Sequence, residues 1–159
     1  MRKALATALL LPTAAVALTG CGLFGPTTYE PEERAAIEVD AGEEFTLSVP
    51  ANPAIAEYWY LVKPHPDRDV VERVGKRLET EPSDPDVIGD GDGTLYFDFK
   101  GVRPGTTEIK LLHCPAVVCT GTKDNPEPHP TSSMYAPVPT ATGTPGNDPA
   151  YFIYKVTVR

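Results

Sequence analysis

The chain has 159 residues, with 14 Lys and Arg against 22 Asp and Glu, a formal net charge of −8. An acidic balance of this size excludes nucleic acid as a partner and electrostatic attachment to anionic lipid as a mode of binding. Glycine and proline, 13 and 18 residues, stay below the roughly 25–30% at which composition signals disorder, so a loop-rich folded domain is expected.

Arg2 and Lys3 open the chain, an apolar run from Ala4 to Leu18 is interrupted by Pro12, and small residues lead to Cys21. Residues 1–20 read as a secretory signal, too short and wrongly flanked for a membrane span. Leu18-Thr19-Gly20-Cys21 resembles the lipobox of bacterial lipoproteins. That resemblance implies cleavage before Cys21 and acylation of its thiol and new amino group. An ordinary signal that happens to end in cysteine is the alternative. Several acyl chains on one residue exceed the two-signal threshold for stable anchoring. The expected location is therefore the cell membrane, outward-facing and lipid-anchored, with the bilayer as one partner. Without residues 1–20 the balance is 12 basic against 22 acidic, or −10, and what remains suits one domain.

Residues 22–35, GLFGPTTYEPEERA, are polar with Gly and Pro, and with Cys21 read as a membrane tether over 21–35. The domain expected over 36–159 starts with period-two runs. AIEVD puts Ile37 and Val39 on one face; EFTLSV puts Phe45, Leu47 and Val49 inward with Thr46 and Ser48 outward. EYWYLV sets Trp59 and Leu61 against Tyr58, Tyr60 and Val62. DVVERVGKRLET has valines at helical spacing around Gly75 and reads as a strand pair or a short helical turn. TLYFDFK alternates cleanly, with Leu95, Phe97 and Phe99 on one side; TTEIKLLH offers Ile109 and Leu111. The closing YFIYKVTVR offers Phe152, Tyr154, Val156 and Val158. About seven strands with one buried face each, punctuated by Gly and Pro turns, predict an all-β, antiparallel two-sheet sandwich. Residues 114–150 hold eight prolines and many threonines, and read as a long Pro/Thr-rich loop before the last strand.

Three cysteines are odd for an exported chain, but lipidation of Cys21 leaves Cys114 and Cys119 as a pair. A disulfide between them is expected; so small a ring adds only about 2 kcal/mol by loop entropy. A metal site would need further ligands at a recognised spacing, and none is found around His113 or His129.

The order of segments from Ile37 to Arg159 resembles the chagasin-like inhibitors of papain-type cysteine proteases. VDAGEEFTLSVPANP is similar to that family's first hairpin, with its Asn-Pro loop. Asn52, Pro53 and Trp59 match the pattern Asn-Pro-Thr-Thr-Gly-Tyr, one variable residue, then Trp. IGDGDGTLYFDFKGVRPGTTEIKLL is similar to the family's Gly-rich loop, strand, Pro-Gly-Thr turn and strand. The resemblance implies an immunoglobulin-like sandwich with three loops at one end that block a protease cleft. In this chain they would be Asn52, Pro53, Ala54, Ile55, Ala56 and Glu57; Gly89, Asp90, Gly91, Asp92 and Gly93; and His113, Cys114 and Pro115. Small residues suit such a tip because backbone must approach a catalytic thiol closely. Here Ala54-Ile55-Ala56 stands where Thr-Thr-Gly is usual, Glu57 where Tyr is, and His113-Cys114-Pro115 where the third loop carries Arg-Pro-Trp.

Each candidate has a plainer reading. Asn52 and Pro53 make a turn unaided, and Trp59 reads as core. Ile55 at a loop tip is either folded inward or offered to a partner. His65 and His129, beside prolines, read as surface residues; His113 fits either core or loop. Asp84, Asp86, Asp90 and Asp92 invite a calcium reading, but the spacing departs from the calcium-loop pattern and no closing glutamate follows. Hairpin chemistry accounts for Gly91, Asp92 and Gly93. There is no Gly-x-Ser-x-Gly elbow, zinc-protease helix motif or phosphate-cradling loop, so neither an enzyme nor a cofactor is expected. The leading reading is a monomeric lipoprotein binding a protein, with a papain-like protease suggested by resemblance. The alternative is a structural or accessory lipoprotein of the cell envelope.

Overall fold

The computed structural model describes residues 25–30, 36–82, 86, 91–120, 128–131, 137–141 and 144–159. The stretch read as a signal sequence, Cys21, Gly89 and Asp90 lie outside them. The described strands are β1 (Thr27–Tyr29), β2 (Ala36–Val39), β3 (Glu44–Ala51), β4 (Tyr58–Leu61), β5 (Val71–Thr80), β6 (Gly93–Gly101), β7 (Gly105–Cys114), β8 (Cys119–Thr120), β9 (His129–Pro130), β10 (Val138–Ala141) and β11 (Ala150–Val158). One sheet runs β1-β3-β6-β5. The other runs β10-β11-β7-β4, with β2 on the same edge of β11 as β10, and β8 and β9 form a separate ribbon. The pairings β3–β6, β6–β5, β11–β7 and β7–β4 are antiparallel as expected, but β1–β3, β2–β11 and β10–β11 are parallel, which the sequence reading did not foresee. This is the expected all-β sandwich.

Alternation produces the core directly. Phe45, Leu47 and Val49 of β3 lie beside Phe99, Phe97 and Leu95 of β6 in register. Ile109 and Leu111 of β7, and Phe152, Tyr154, Val156 and Val158 of β11, face them from the other sheet, all buried. Burying each such side chain contributes roughly 1.5–3 kcal/mol, and aromatic contacts tighten the layer: Phe45 stacks on Phe99 with centroids 5.5 Å apart. The seven principal strands correspond to the seven runs read from the sequence.

Four further details differ from the sequence reading. Val71–Thr80 is a single ten-residue strand, not a strand pair or helical turn. A bulge between Arg73 and Gly75 shifts its register, and that extra residue makes the valine spacing look helical. Gly75 passes so close to Asp98 that a Cβ would sit 2.8 Å from its carboxylate oxygen. Thr46 and Ser48 face outward as expected but are buried, since β1 extends the sheet beyond β3. Thr46 Oγ1 donates to Asp98 at 2.8 Å. β1 falls within the stretch read as a tether, so the sheet reaches into it as far as Thr27. Finally, the Pro/Thr-rich stretch contains β8, β9 and β10, and His129 is a half-buried residue of β9. Among the described residues no helix is long and apolar enough to cross a membrane.

Candidate functional site

The connection from β3 to β4 carries the chain from one sheet to the other in six residues, and Asn52 organises it. Its Oδ1 accepts from the Ala54 amide at 3.1 Å, and its carbonyl accepts from the amides of Ile55 and Glu57 at 3.2 and 3.0 Å. Pro53, with φ preset, opens a 3-10 turn over Pro53–Ile55. Ala56 ends it in the left-handed region at φ 57°, where L-residues pay roughly 1–2 kcal/mol and glycine is at ease. The resembled family carries glycine at this position, the residue that adopts such a φ without cost. Ile55 stands at the tip, 51% exposed.

Two side-chain contacts join this loop to its neighbours. Asn52 Nδ2 donates to Asp92 Oδ1 at 2.9 Å, fastening it to the β5–β6 connection. Gly91 lies directly beneath: a Cβ there would stand 2.7 Å from that of Ala54, so only glycine allows the two backbones this approach. On the other side, His113 Nε2 lies 2.8 Å from Glu57 Oε1. An ionised carboxylate only accepts, so the ring nitrogen donates. His113 is fully buried in β7, and its Nδ1 has no hydrogen-bond partner among the described residues. It belongs to the core, one of the two readings open from the sequence.

Trp59 frames the site from below. It is fully buried as expected, its ring centre 4.6 Å from His113 and 4.9 Å from Phe152. Its indole N–H donates to the Pro50 carbonyl at 2.6 Å, across the base of the first loop. The third loop leaves β7 at Cys114, which pairs in register with Tyr58. Cys114 and Cys119 form a disulfide, with Cα atoms 5.8 Å apart, around a 3-10 turn at Ala116–Val118. The bridge does more than shape a loop. Cys114, Val62 and Leu112 form a second small core on the outer face of the sheet, against Tyr60, Cys119 and Tyr151.

Of the sequence-predicted residues, Asn52–Glu57, Gly91–Gly93 and His113–Pro115 are gathered at one pole of the sandwich. Gly89 and Asp90 lie outside the described residues, as do Asp84 and the start of the aspartate run. Asp92 is spent on Asn52, and no described cluster of three acidic, histidine or cysteine side chains could hold a metal. Sequence reasoning missed the Glu57–His113 bond and exposed Tyr58, which flanks Ile55. The signal for the first was present, since both residues replace the family's usual ones.

Residues 38–115 match the family model of the Chagasin family peptidase inhibitor I42, a family of inhibitors and not of enzymes. The match runs from β2 to the start of the third loop, just under half of the chain. The crystal structure of the cysteine protease inhibitor EhICP2 from Entamoeba histolytica is similar over 85% of this chain and 100% of that one, at TM-score 0.51 and 16% identity. At that identity the likeness establishes the fold alone, an immunoglobulin-like β-sandwich. The solution structure of amebosin is similar over 86% of this chain and 100% of that one, at TM-score 0.46 and 16% identity. No curated protein matches the chain.

Proposed function

We propose that this protein inhibits a papain-like cysteine protease by occlusion, through the loops at Asn52–Glu57, Gly89–Gly93 and His113–Pro115. The observation that carries the reading is that the first loop is tied on one side to the described part of the second, by Asn52–Asp92, and on the other to β7 at the root of the third, by Glu57–His113. A wedge must enter a cleft without losing its shape. Loops already fixed by hydrogen bonds and a disulfide lose little further freedom on docking, which favours affinity. Ala54 and Ile55 present a narrow apolar tip, closed by the left-handed turn at Ala56. No bond is made or broken; the wedge excludes substrate.

The same reading places the domain as a monomer, lipid-anchored through Cys21 on the outer side of the cell membrane, where it would meet exported proteases. Support comes from the lipobox-like Leu18-Thr19-Gly20-Cys21 alone. Beyond the disulfide at Cys119, the Pro/Thr-rich stretch would take no part in inhibition.

Wild type and Ile55→Asp are to be titrated against several papain-like proteases. Competitive inhibition at or below micromolar concentration is expected, weakened at least tenfold by Ile55→Asp. Full protease activity at micromolar wild-type protein would sink the reading. Separately, Cys21→Ala should move the protein from the membrane fraction to the soluble one; an unchanged distribution would refute the anchor.

A further inference from the structure

The side of the sandwich where β4 and β5 lie is open. β5 is an edge strand ten residues long, and among the described residues no strand pairs its outer edge; β4 likewise ends its own sheet. Natural sandwiches protect so long an edge, because its free amides and carbonyls recruit another strand. Between these edges lies a cavity of about 270 Å³, lined by Leu61, His65, Pro66, Arg68, Val71, Glu72 and Arg73. Its floor is apolar: Val71 is buried and half-buried Leu61 packs on the core.

The rim is cationic. Arg68 and Arg73 have no ion-pair partner among the described residues. Glu72, the one acidic lining residue, stands directly across from Lys100 of β6. Lys76 extends the rim along β5, its ammonium 5.3 Å from the centre of Phe97 and 5.9 Å from that of Tyr60 on β4. Burial lowers its pKa below the ordinary 10.5, and the neighbouring Arg73 lowers it further. The contrast with the rest of the chain is sharp. Residues 63–77 carry Lys63, Arg68, Arg73, Lys76 and Arg77, five of 14 basic residues, whereas 78–99 carry seven acidic residues and no basic one. Arg77 is already committed to Asp98 at 2.6 Å, whereas Arg68 and Arg73 have no carboxylate partner among the described residues.

We infer that this open side is a second binding surface, which takes an extended acidic peptide segment of another protein as an added strand on β5. Free edge amides and carbonyls would hold the backbone. Arg68, Arg73 and Lys76 would pair with its carboxylates, the two arginines as planar forks. The cavity over Leu61 and Val71 would accept one apolar side chain per segment. The cavity lies at the Val71 end of β5, opposite the end where Thr80 pairs with Gly93 of the loop pole, so the inference does not rest on protease inhibition.

The test uses fluorescein-labelled eight-residue peptides, alternating Glu-Val and alternating Lys-Val, with anisotropy as the readout. The Glu-Val peptide should bind at least tenfold more tightly than Lys-Val and weaken severalfold between 50 and 300 mM salt. The double variant Arg73→Glu/Lys76→Glu should lose at least tenfold, while its near-ultraviolet spectrum, dominated by Trp59, reports an intact fold. Hydrogen exchange should show new protection in 71–80 and none in 52–57. Equal binding of both peptides, insensitivity to the double variant, or protection confined to 52–57 would overturn the inference. So would protection of 71–80 that appears without peptide and grows with protein concentration, which would make a second copy of the chain the occupant.

Discussion

Between the sheets, Phe45, Phe97, Phe99, Trp59 and Phe152 bury apolar area against many neighbours at once. At the loop pole, shape rests on a handful of directional contacts: Asn52 with Asp92, Glu57 with His113, and one disulfide. The first arrangement is redundant, because every large side chain touches several others. The second is not, because each contact positions one loop alone. Damage to the core should therefore appear as lost stability, and damage to the pole as lost loop geometry in a protein that still folds.

Trp59 is the residue that breaks this separation. It fills the core and holds Pro50 at the base of the first loop. Trp59→Ala should cost about 3–5 kcal/mol in denaturant titration, through cavity formation, and should also free the first loop. A variant that lost stability on that scale but kept full inhibition would show the loop to be independent of its floor.

Glu57 sharpens the comparison from the pole's side. Glu57→Ala leaves the fully buried His113 with both ring nitrogens unpaired, at a cost of about 1–3 kcal/mol and with the first and third loops uncoupled. Glu57→Gln keeps an acceptor oxygen and should recover most of both. If Ala and Gln variants had the same melting temperature and the same inhibition, the 2.8 Å contact would be incidental.

Tyr154 tests the core for the fault a directional contact would repair. Its hydroxyl is buried without a hydrogen-bond partner among the described residues, and burial pushes its pKa well above the ordinary 10.0. The unfolded chain ionises near pH 10 while the folded one resists. This contribution to stability is therefore constant below pH 10 and declines as pH rises beyond it. Tyr154→Phe should stabilise by about 1 kcal/mol at neutral pH, the hydroxyl's desolvation being removed, and its advantage should grow by up to about 1.4 kcal/mol per pH unit above 10. An advantage that is flat from pH 8 to 11 would indicate a solvated hydroxyl.

The strands were legible because period-two alternation and one-sided burial are the same fact seen at two levels. Phe45, Leu47 and Val49 face inward for the reason their spacing predicts. Thr46 and Ser48 were misjudged because alternation assigns a face but not what covers it, and the covering strand, Thr27–Tyr29, sits in a stretch whose composition resembles a linker. The helical look of Val70, Val71, Val74 and Leu78 failed for a related reason: one bulged residue shifts a period of two until it imitates a longer one. At the pole, the turn at Asn52-Pro53 was readable from local chemistry. The Glu57–His113 contact joins residues 56 positions apart; neither segment alone announces it, and its one sequence signal is that both residues depart together from the resembled family's pattern.

Ala56 offers the smallest effect and the finest test of how the pole is made. Its φ of 57° is one that glycine adopts freely and alanine pays for. Ala56→Gly removes that strain but adds conformational freedom to the unfolded chain, worth about 0.4–1 kcal/mol in the opposite sense. The two nearly cancel, so stability should rise by roughly 0–1 kcal/mol. Inhibition should be unchanged or slightly better, since the turn is retained and its amide still donates to Pro53 at 3.1 Å. Ala56→Val separates geometry from bulk: a β-branched residue disfavours the left-handed region further, so the turn should open and inhibition should fall with little change in the core. If Gly and Val behaved alike, the left-handed turn would not be what holds Ile55 at the tip, and the case for a pole fixed by single contacts would lose its most local support.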